Sequence, residues 1–239
     1  MSDAGFLAVA WDIDGTLVDS EPLHHRALVA ASRGFGVDLS DLPDMAFRGV
    51  HMGDVWKLLR SRLPQGLAEQ EWLDAINRHY IENRHSLQAM PGAIESIRML
   101  ADIGIPQVCV SNSCRAVVDA NLDAMGISSC IRFSISLDDV TEGKPSPMPY
   151  RNAAERLGFS PASIVAIEDS LTGLASARAA GLYSVLFTMQ KGGLQEEDTD
   201  RRPDLAIDAL AGVTALFSTG DATSHTYQAK CAACTSAQR

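Results

Sequence analysis

The chain has 239 residues, 46% of them hydrophobic, and a formal net charge of -10. That length and apolar content suit one large folded domain, or a core plus a smaller one, and exclude a chain too polar to bury a core. The acidic balance argues against a nucleic-acid partner, since phosphate backbones are bound by clustered Lys and Arg.

No apolar run approaches the roughly 20 residues that a membrane-spanning helix needs. Asp3 stands where a signal peptide would carry positive charge. A cytoplasmic protein with no membrane partner is expected. The five cysteines make an odd total and give no disulfide framework. Cys231 and Cys234 form a C-x-x-C pair, but a zinc site wants about four ligands. Only His225 lies near them, so the pair reads as incidental.

The first predicted element is the apolar run at residues 6–11, which ends abruptly in Asp12-Ile13-Asp14-Gly15-Thr16. So short a run, closed by glycine, reads as a strand buried on both faces. The turn at Gly15 lets Asp12 and Asp14 reach one crevice at the carboxyl end of that strand. Two carboxylates held together repel unless a cation lies between them, and a hard divalent ion such as Mg²⁺ suits oxygen ligands. The plain alternative is a solvated Asp-Gly turn.

Residues 21–31 then turn helical in period, with Leu23, Ala27, Leu28 and Ala31 on one face and Gly34 and Gly36 as the stop. Further helical patches surround Val55, Leu58 and Leu59, and then Trp72, Leu73, Ile76 and Tyr80. No strand-like run occurs between Leu17 and Ser86, so this block reads as a helical insertion with its own core.

From Pro91-Gly92 onward helix and strand patterns alternate. A helix over 93–103 precedes the strand Val108-Cys109-Val110, which runs into Ser111-Asn112-Ser113. A helix over 115–125 and a strand within 131–136 follow. Lys144 then sits in Gly143-Lys144-Pro145-Ser146-Pro147, ahead of a helix over 148–157. The strand at 164–167 leads straight into Glu168-Asp169-Ser170, with Gly173 shortly beyond. A small-residue helix, a strand at 184–187 and an edge strand at 205–207 complete the pattern. Such alternation predicts an α/β fold: a Rossmann-like doubly wound parallel sheet with a small inserted all-helical domain. The expected division is a core of 1–17 and 88–217, a helical cap of 18–87, and a tail of 218–239 whose composition suits disorder.

Three strands thus end in polar clusters, at Asp12 to Thr16, at Ser111 to Ser113 and at Glu168 to Ser170. Parallel strands put their carboxyl ends on one edge, so the clusters converge. Two aspartates, hydrogen-bond donors, a lysine between prolines and a second acidic pair are what phosphoryl transfer to a carboxylate requires.

With these motifs in order, the chain resembles the haloacid dehalogenase-like hydrolase superfamily. The likeness is to the helical-cap group and its β-phosphoglucomutase and sugar-phosphate phosphatase branch, over residues 6–216. The resemblance implies a Mg²⁺-dependent phosphatase in which Asp12 is the nucleophile and Asp14 the general acid/base. Ser111 would bind the transferring phosphoryl group with Asn112 beside it, and Lys144 would neutralise charge there. Asp12, Asp14 through its backbone carbonyl, Glu168 and Asp169 would hold the metal.

Each role has a plain rival. Ser111 to Ser113 could simply cap the next helix, Lys144 could be a solvated lysine, and Glu168 and Asp169 could be helix-start acids. The acid at position 14 separates phosphate-ester members of the family from dehalogenases, which lack it, and from phosphonate-cleaving members, which carry a small residue. His24 matches a cap-hinge histidine of the mutase branch, and Arg48-Gly49-Val50 resembles its cap loop. Met52, however, stands where its mutases carry an arginine, and no lysine occurs from 61 to 86.

A phosphatase of a small phosphorylated metabolite, a sugar or polyol phosphate, is therefore expected, as a monomer or weak homodimer. The alternatives are a phosphosugar mutase or a non-catalytic binding protein on the same fold. Substrate-facing candidates in the cap are His24, Arg48, His51 and Lys57. The cap should hinge at its two crossings, near 18–21 and 86–90, opening to admit substrate and closing to exclude water.

Overall fold

The computed structural model describes residues 5–43, 46–47, 50, 52–188 and 202–217. Arg48 and His51, the tail 218–239 and the Cys231/Cys234 pair lie outside the described residues.

The sheet is built from β1 (Ala8–Trp11), β4 (Gln107–Val110), β5 (Phe133–Ile135), β6 (Ile164–Glu168), β7 (Tyr183–Phe187) and β8 (Leu205–Ile207). Their spatial order is β5-β4-β1-β6-β7-β8, and every pairing is parallel. Side chains alternate along each strand, so β1 divides its residues between two cores. Val9 and Trp11 join Cys109, Val165 and Ile167 under α4 (Ala93–Asp102) and α5 (Arg115–Met125). Ala8 and Ala10 join Val108, Val110 and Ala166 under α6 (Met148–Leu157) and α7 (Leu171–Ala179).

The alanines let α6 and α7 approach the sheet closely, while the other face takes the bulk of Trp11. That indole is fully buried and its Nε1 donates to Gln107 Oε1 at 3.0 Å; Gln107 Nε2 in turn donates to the Ile97 carbonyl at 2.8 Å. Each polar atom so buried is paired, and the burial therefore costs little.

The helical block consists of α1 (Glu21–Gly34), α2 (Met52–Leu59) and α3 (Glu69–Glu82). Leu23, Ala27 and Leu28 of α1 meet Trp72, Ile76 and Tyr80 of α3 in a core of their own. Val117, on the core helix α5, belongs to that same cluster. Arg84 Nε pairs with Asp123 Oδ2 of α5 at 3.2 Å, so the block is docked on the sheet domain here.

The crossings between the two parts carry more order than the sequence suggests. Val18–Asp19 (β2) and Gln88–Ala89 (β3) form an antiparallel ladder, Val18 opposite Ala89 and Asp19 opposite Gln88. The Met90 N–H extends it to the Leu17 carbonyl at 2.8 Å. Two-residue strands leave no periodic trace in a sequence, which is why they escape a reading based on alternation. Elsewhere the limits move slightly: α1 runs through Gly34 and stops at Gly36, whose φ of +78° only glycine adopts readily.

Candidate active site

The order of the sheet strands reverses about β1: the chain leaves toward β4 and β5 and returns to β6 on the other side. That leaves a crevice at the carboxyl ends of β1 and β6, the usual place for a ligand in an open α/β sheet. Asp12 follows β1 directly, and its N–H donates to the Ile167 carbonyl at 2.9 Å. Glu168 is the last residue of β6 and is buried, so it is no helix-start acid. Lys144 is buried too. Its Nζ donates to Asp12 Oδ1 at 2.6 Å and to the Val110 carbonyl at 2.8 Å, and lies 2.6 Å from Glu168 Oε1. The Gly-Lys-Pro loop after β5 thus threads an ammonium between two carboxylates delivered by different strands.

Asn112 fixes that loop from the side. Its amide accepts from the Lys144 N–H at 2.7 Å and donates to the Lys144 carbonyl at 2.9 Å, a two-point clasp on one residue's backbone. The Asn112 side chain therefore faces Lys144. Ser111 Oγ donates to Asp14 Oδ2 at 3.2 Å, and Ser113 Oγ donates to the same oxygen at 2.8 Å. Helix α5 has no side-chain hydrogen bond at its N-cap, so these serines turn to Asp14 and not to a capping role. Asp14 Oδ1 accepts from Asn121 Nδ2 at 3.2 Å and lies 3.5 Å from His24 Nε2.

Residues 6–181, most of the chain, match the family profile described as haloacid dehalogenase-like hydrolase. The chain belongs to that hydrolase family. It is 30% identical over 214 residues to a phosphoglycolate phosphatase of Neisseria gonorrhoeae, across 85% of this chain and 89% of that one. Hexitol phosphatase B of Escherichia coli is 29% identical over 215 residues, across 88% and 94% of the two chains. Among solved structures, CbbY from Rhodobacter sphaeroides in complex with phosphate superimposes with a TM-score of 0.75 at 26% identity, covering 87% of this hydrolase and 96% of that chain.

The hydrolase offers a donor set suited to Mg²⁺. Carboxylate oxygens of Asp12, Glu168 and Asp169 lie within 4.8 Å of one another. Asp12 Oδ2 and Glu168 Oε2 are buried and have no hydrogen-bonding partner among the described residues. Orphaned anionic oxygens cost several kcal/mol unless a proton or a cation satisfies them, and all-oxygen sites suit hard divalent ions. Two glycines make the room. A Cβ on Gly173 would stand 1.8 Å from Glu168 Oε2, and one on Gly15, already at φ +86°, would stand 2.1 Å from Asp169 Oδ2.

The electrostatics agree with this. Burial, then the charge of Asp12, pushes Glu168 up to about 8 from an ordinary 4.5, against the pull of Lys144. Desolvation by the crevice wall, then Asp12, pushes Asp169 at its mouth up to about 7 from 3.8. Burial raises Asp12 as well, again opposed by Lys144. Burial alone would lower Lys144, but Asp12 and Glu168 hold it above the ordinary lysine range. Asp14 goes the other way: burial would raise it, yet His24, followed by Ser20 and Ser113, holds it well below the usual carboxylate range.

A pH dependence follows with a definite sign. The metal-free fold keeps protons on Glu168 and Asp169 that the unfolded chain releases between about pH 4 and 8, so its stability falls as pH rises through that window. A bound cation displaces those protons. Mg²⁺ should therefore raise the melting temperature more at pH 8 than at pH 6, as a thermal-shift titration would show. Equal shifts at both pH values would mean that these carboxylates are not the ones a metal meets.

Several site residues were not singled out from the sequence. Tyr150 Oη donates to Glu168 Oε1 from beneath, a contact from α6 that no spacing announces. Ser113 sat inside a cluster already noted, but Asn121 and Tyr80 carried no signal beyond helical period. Of the cap candidates within the described residues, His24 faces Asp14, whereas Lys57 is exposed and paired with Asp54 at 2.8 Å.

Proposed function

We propose that the chain is a Mg²⁺-dependent phosphatase that hydrolyses a small phosphorylated metabolite, a sugar or polyol phosphate, through a phosphorylated Asp12. The observation that carries this reading is the Lys144 ammonium between Asp12 and Glu168, beside two buried oxygens with no protein partner among the described residues. The family and the phosphatase names of its relatives support the reaction class, and the hexitol phosphatase supports the polyol substrate.

A carboxylate oxygen of Asp12 attacks phosphorus while the bond from phosphorus to the substrate oxygen breaks. Asp14 gives its proton to the departing alkoxide. Alone, Asp14 rests as the carboxylate; a dianionic phosphoryl group nearby raises its pKa and lets it carry that proton. In the second half Asp14, now a base, removes a proton from water, which attacks phosphorus and releases Asp12. Ser111 holds phosphoryl oxygens in this reading, and Lys144 balances their charge in both halves. Asp12, Glu168, Asp169 and the Asp14 carbonyl would hold Mg²⁺, which when bound would supply further positive charge where negative charge accumulates. The helical block 18–87 acts as a cap that excludes water from the crevice.

Incubation with p-nitrophenyl phosphate and a panel of sugar and polyol phosphates, with Mg²⁺ or with EDTA, tests the reading. Metal-dependent release of inorganic phosphate is expected, with a polyol or sugar phosphate preferred. Isomerisation without phosphate release would make the chain a mutase, and inactivity on every ester would leave a binding scaffold.

A further inference from the structure

Asp14 is held by two separate sets of groups. Its Oδ2 accepts from Ser111 and Ser113, both on the loop after β4 of the core. Its Oδ1 depends on the helical block. Asn121 Nδ2 donates to Oδ1 at 3.2 Å, and Tyr80 Oη of α3 donates to Asn121 Oδ1 at 2.7 Å. The second neighbour of Oδ1, His24, packs its ring against that of Tyr80 with centroids 4.4 Å apart and a tilt of 31° between the planes. Tyr80 and Asn121 are both fully buried.

Tyr80 thereby determines which way the Asn121 amide points. An amide can present either its oxygen or its NH₂ to Asp14, and only the NH₂ can donate to a carboxylate. Once Tyr80 donates into the oxygen, the NH₂ is left to face Asp14. If the helical block moves away from α5, the hydroxyl that orients the amide and His24, itself on α1 of that block, leave together.

We propose that Tyr80 and Asn121 are positioning residues that make the placement of Asp14 conditional on docking of the helical block. They touch neither the substrate nor the phosphoryl group; they couple closure to the proton transfer that Asp14 performs. The inference rests on the reading of Asp14 as the acid/base.

The coupling predicts a dependence on the leaving group. Expulsion of p-nitrophenolate needs little protonation, whereas an alkoxide needs a proton from Asp14. Tyr80→Phe keeps the ring and its contact with His24 but removes the hydroxyl. It should lower kcat/KM on glycerol phosphate, which reports only the half-reaction that expels the alkoxide, by roughly ten-fold, a fraction of what a full general acid supplies. On p-nitrophenyl phosphate it should change kcat/KM by less than about two-fold, since expulsion of the phenolate makes little use of the acid and the later attack of water on phosphorylated Asp12 does not enter this ratio.

Asn121→Ala should show the same selectivity. Because Tyr80 acts through Asn121, the double variant should lose no more than Asn121→Ala alone. Equal losses of kcat/KM on both esters, no loss on either, or additive losses in the double variant would each overturn the proposal. A wild-type protein that hydrolyses neither ester, nor any sugar or polyol phosphate of the panel, would overturn the phosphatase reading itself, and the coupling with it.

Discussion

Asp12→Asn should abolish turnover, with a loss on the order of 10⁴-fold or more, because an amide oxygen is a poor nucleophile toward phosphorus. The fold should survive. The amide oxygen of the variant can still accept from Lys144, and one of three mutually repelling carboxylates has gone. Without metal the variant should melt no lower than the parent, while Mg²⁺ should stabilise it less. Rapid-quench assays with ³²P-labelled substrate should find acid-stable label on the parent chain and none on the variant. Near-normal activity in Asp12→Asn would remove Asp12 as the nucleophile.

The second large effect belongs to Lys144→Met. The methionine fills a similar volume but leaves Asp12 and Glu168 without the buried ammonium that each meets at 2.6 Å. Truncating one partner of a buried ion pair typically costs about 3–5 kcal/mol, most of it the penalty of the unpaired charge that remains. The two carboxyls relieve that penalty by taking up protons. Their folded pKa values then rise further above the unfolded ones, so stability is kept at low pH and lost as pH rises. The melting-point deficit of Lys144→Met should therefore be larger at pH 8 than at pH 6. Activity should fall roughly 10³-fold, the scale seen when one group that stabilises transition-state charge is removed. Retained activity with an unchanged melting profile would make Lys144 a spectator.

Much of this arrangement was legible in the sequence because several constraints fell on the same short stretches. Buried strands must be apolar and must end where the sheet ends, so Asp12, Ser111 and Glu168 each announced itself as the first polar residue after an apolar run. Helices α5 and α6 have the limits that their periods predict, since Gly126 and Gly158 take the left-handed conformation that terminates each one. Tyr150, Asn121 and Tyr80 were illegible for the converse reason. Each sits on a helix face where a polar residue among apolar ones has no local meaning, and its partner is fixed by topology alone. Gly173 was visible as a glycine, but its reason is the Glu168 carboxylate folded against it, which no linear pattern records.

The short ladder between β2 and β3 has an evolutionary consequence. Because the departing and returning strands are hydrogen-bonded side by side, everything between them is, to the sheet, the loop of a single hairpin. The entropy of closing such a loop grows only with the logarithm of its length. Residues can therefore be added to or deleted from the helical block without shifting β1, β4 or β6. Variation there alters what reaches the crevice, while the strand ends that carry Asp12 and Glu168 stay where they are.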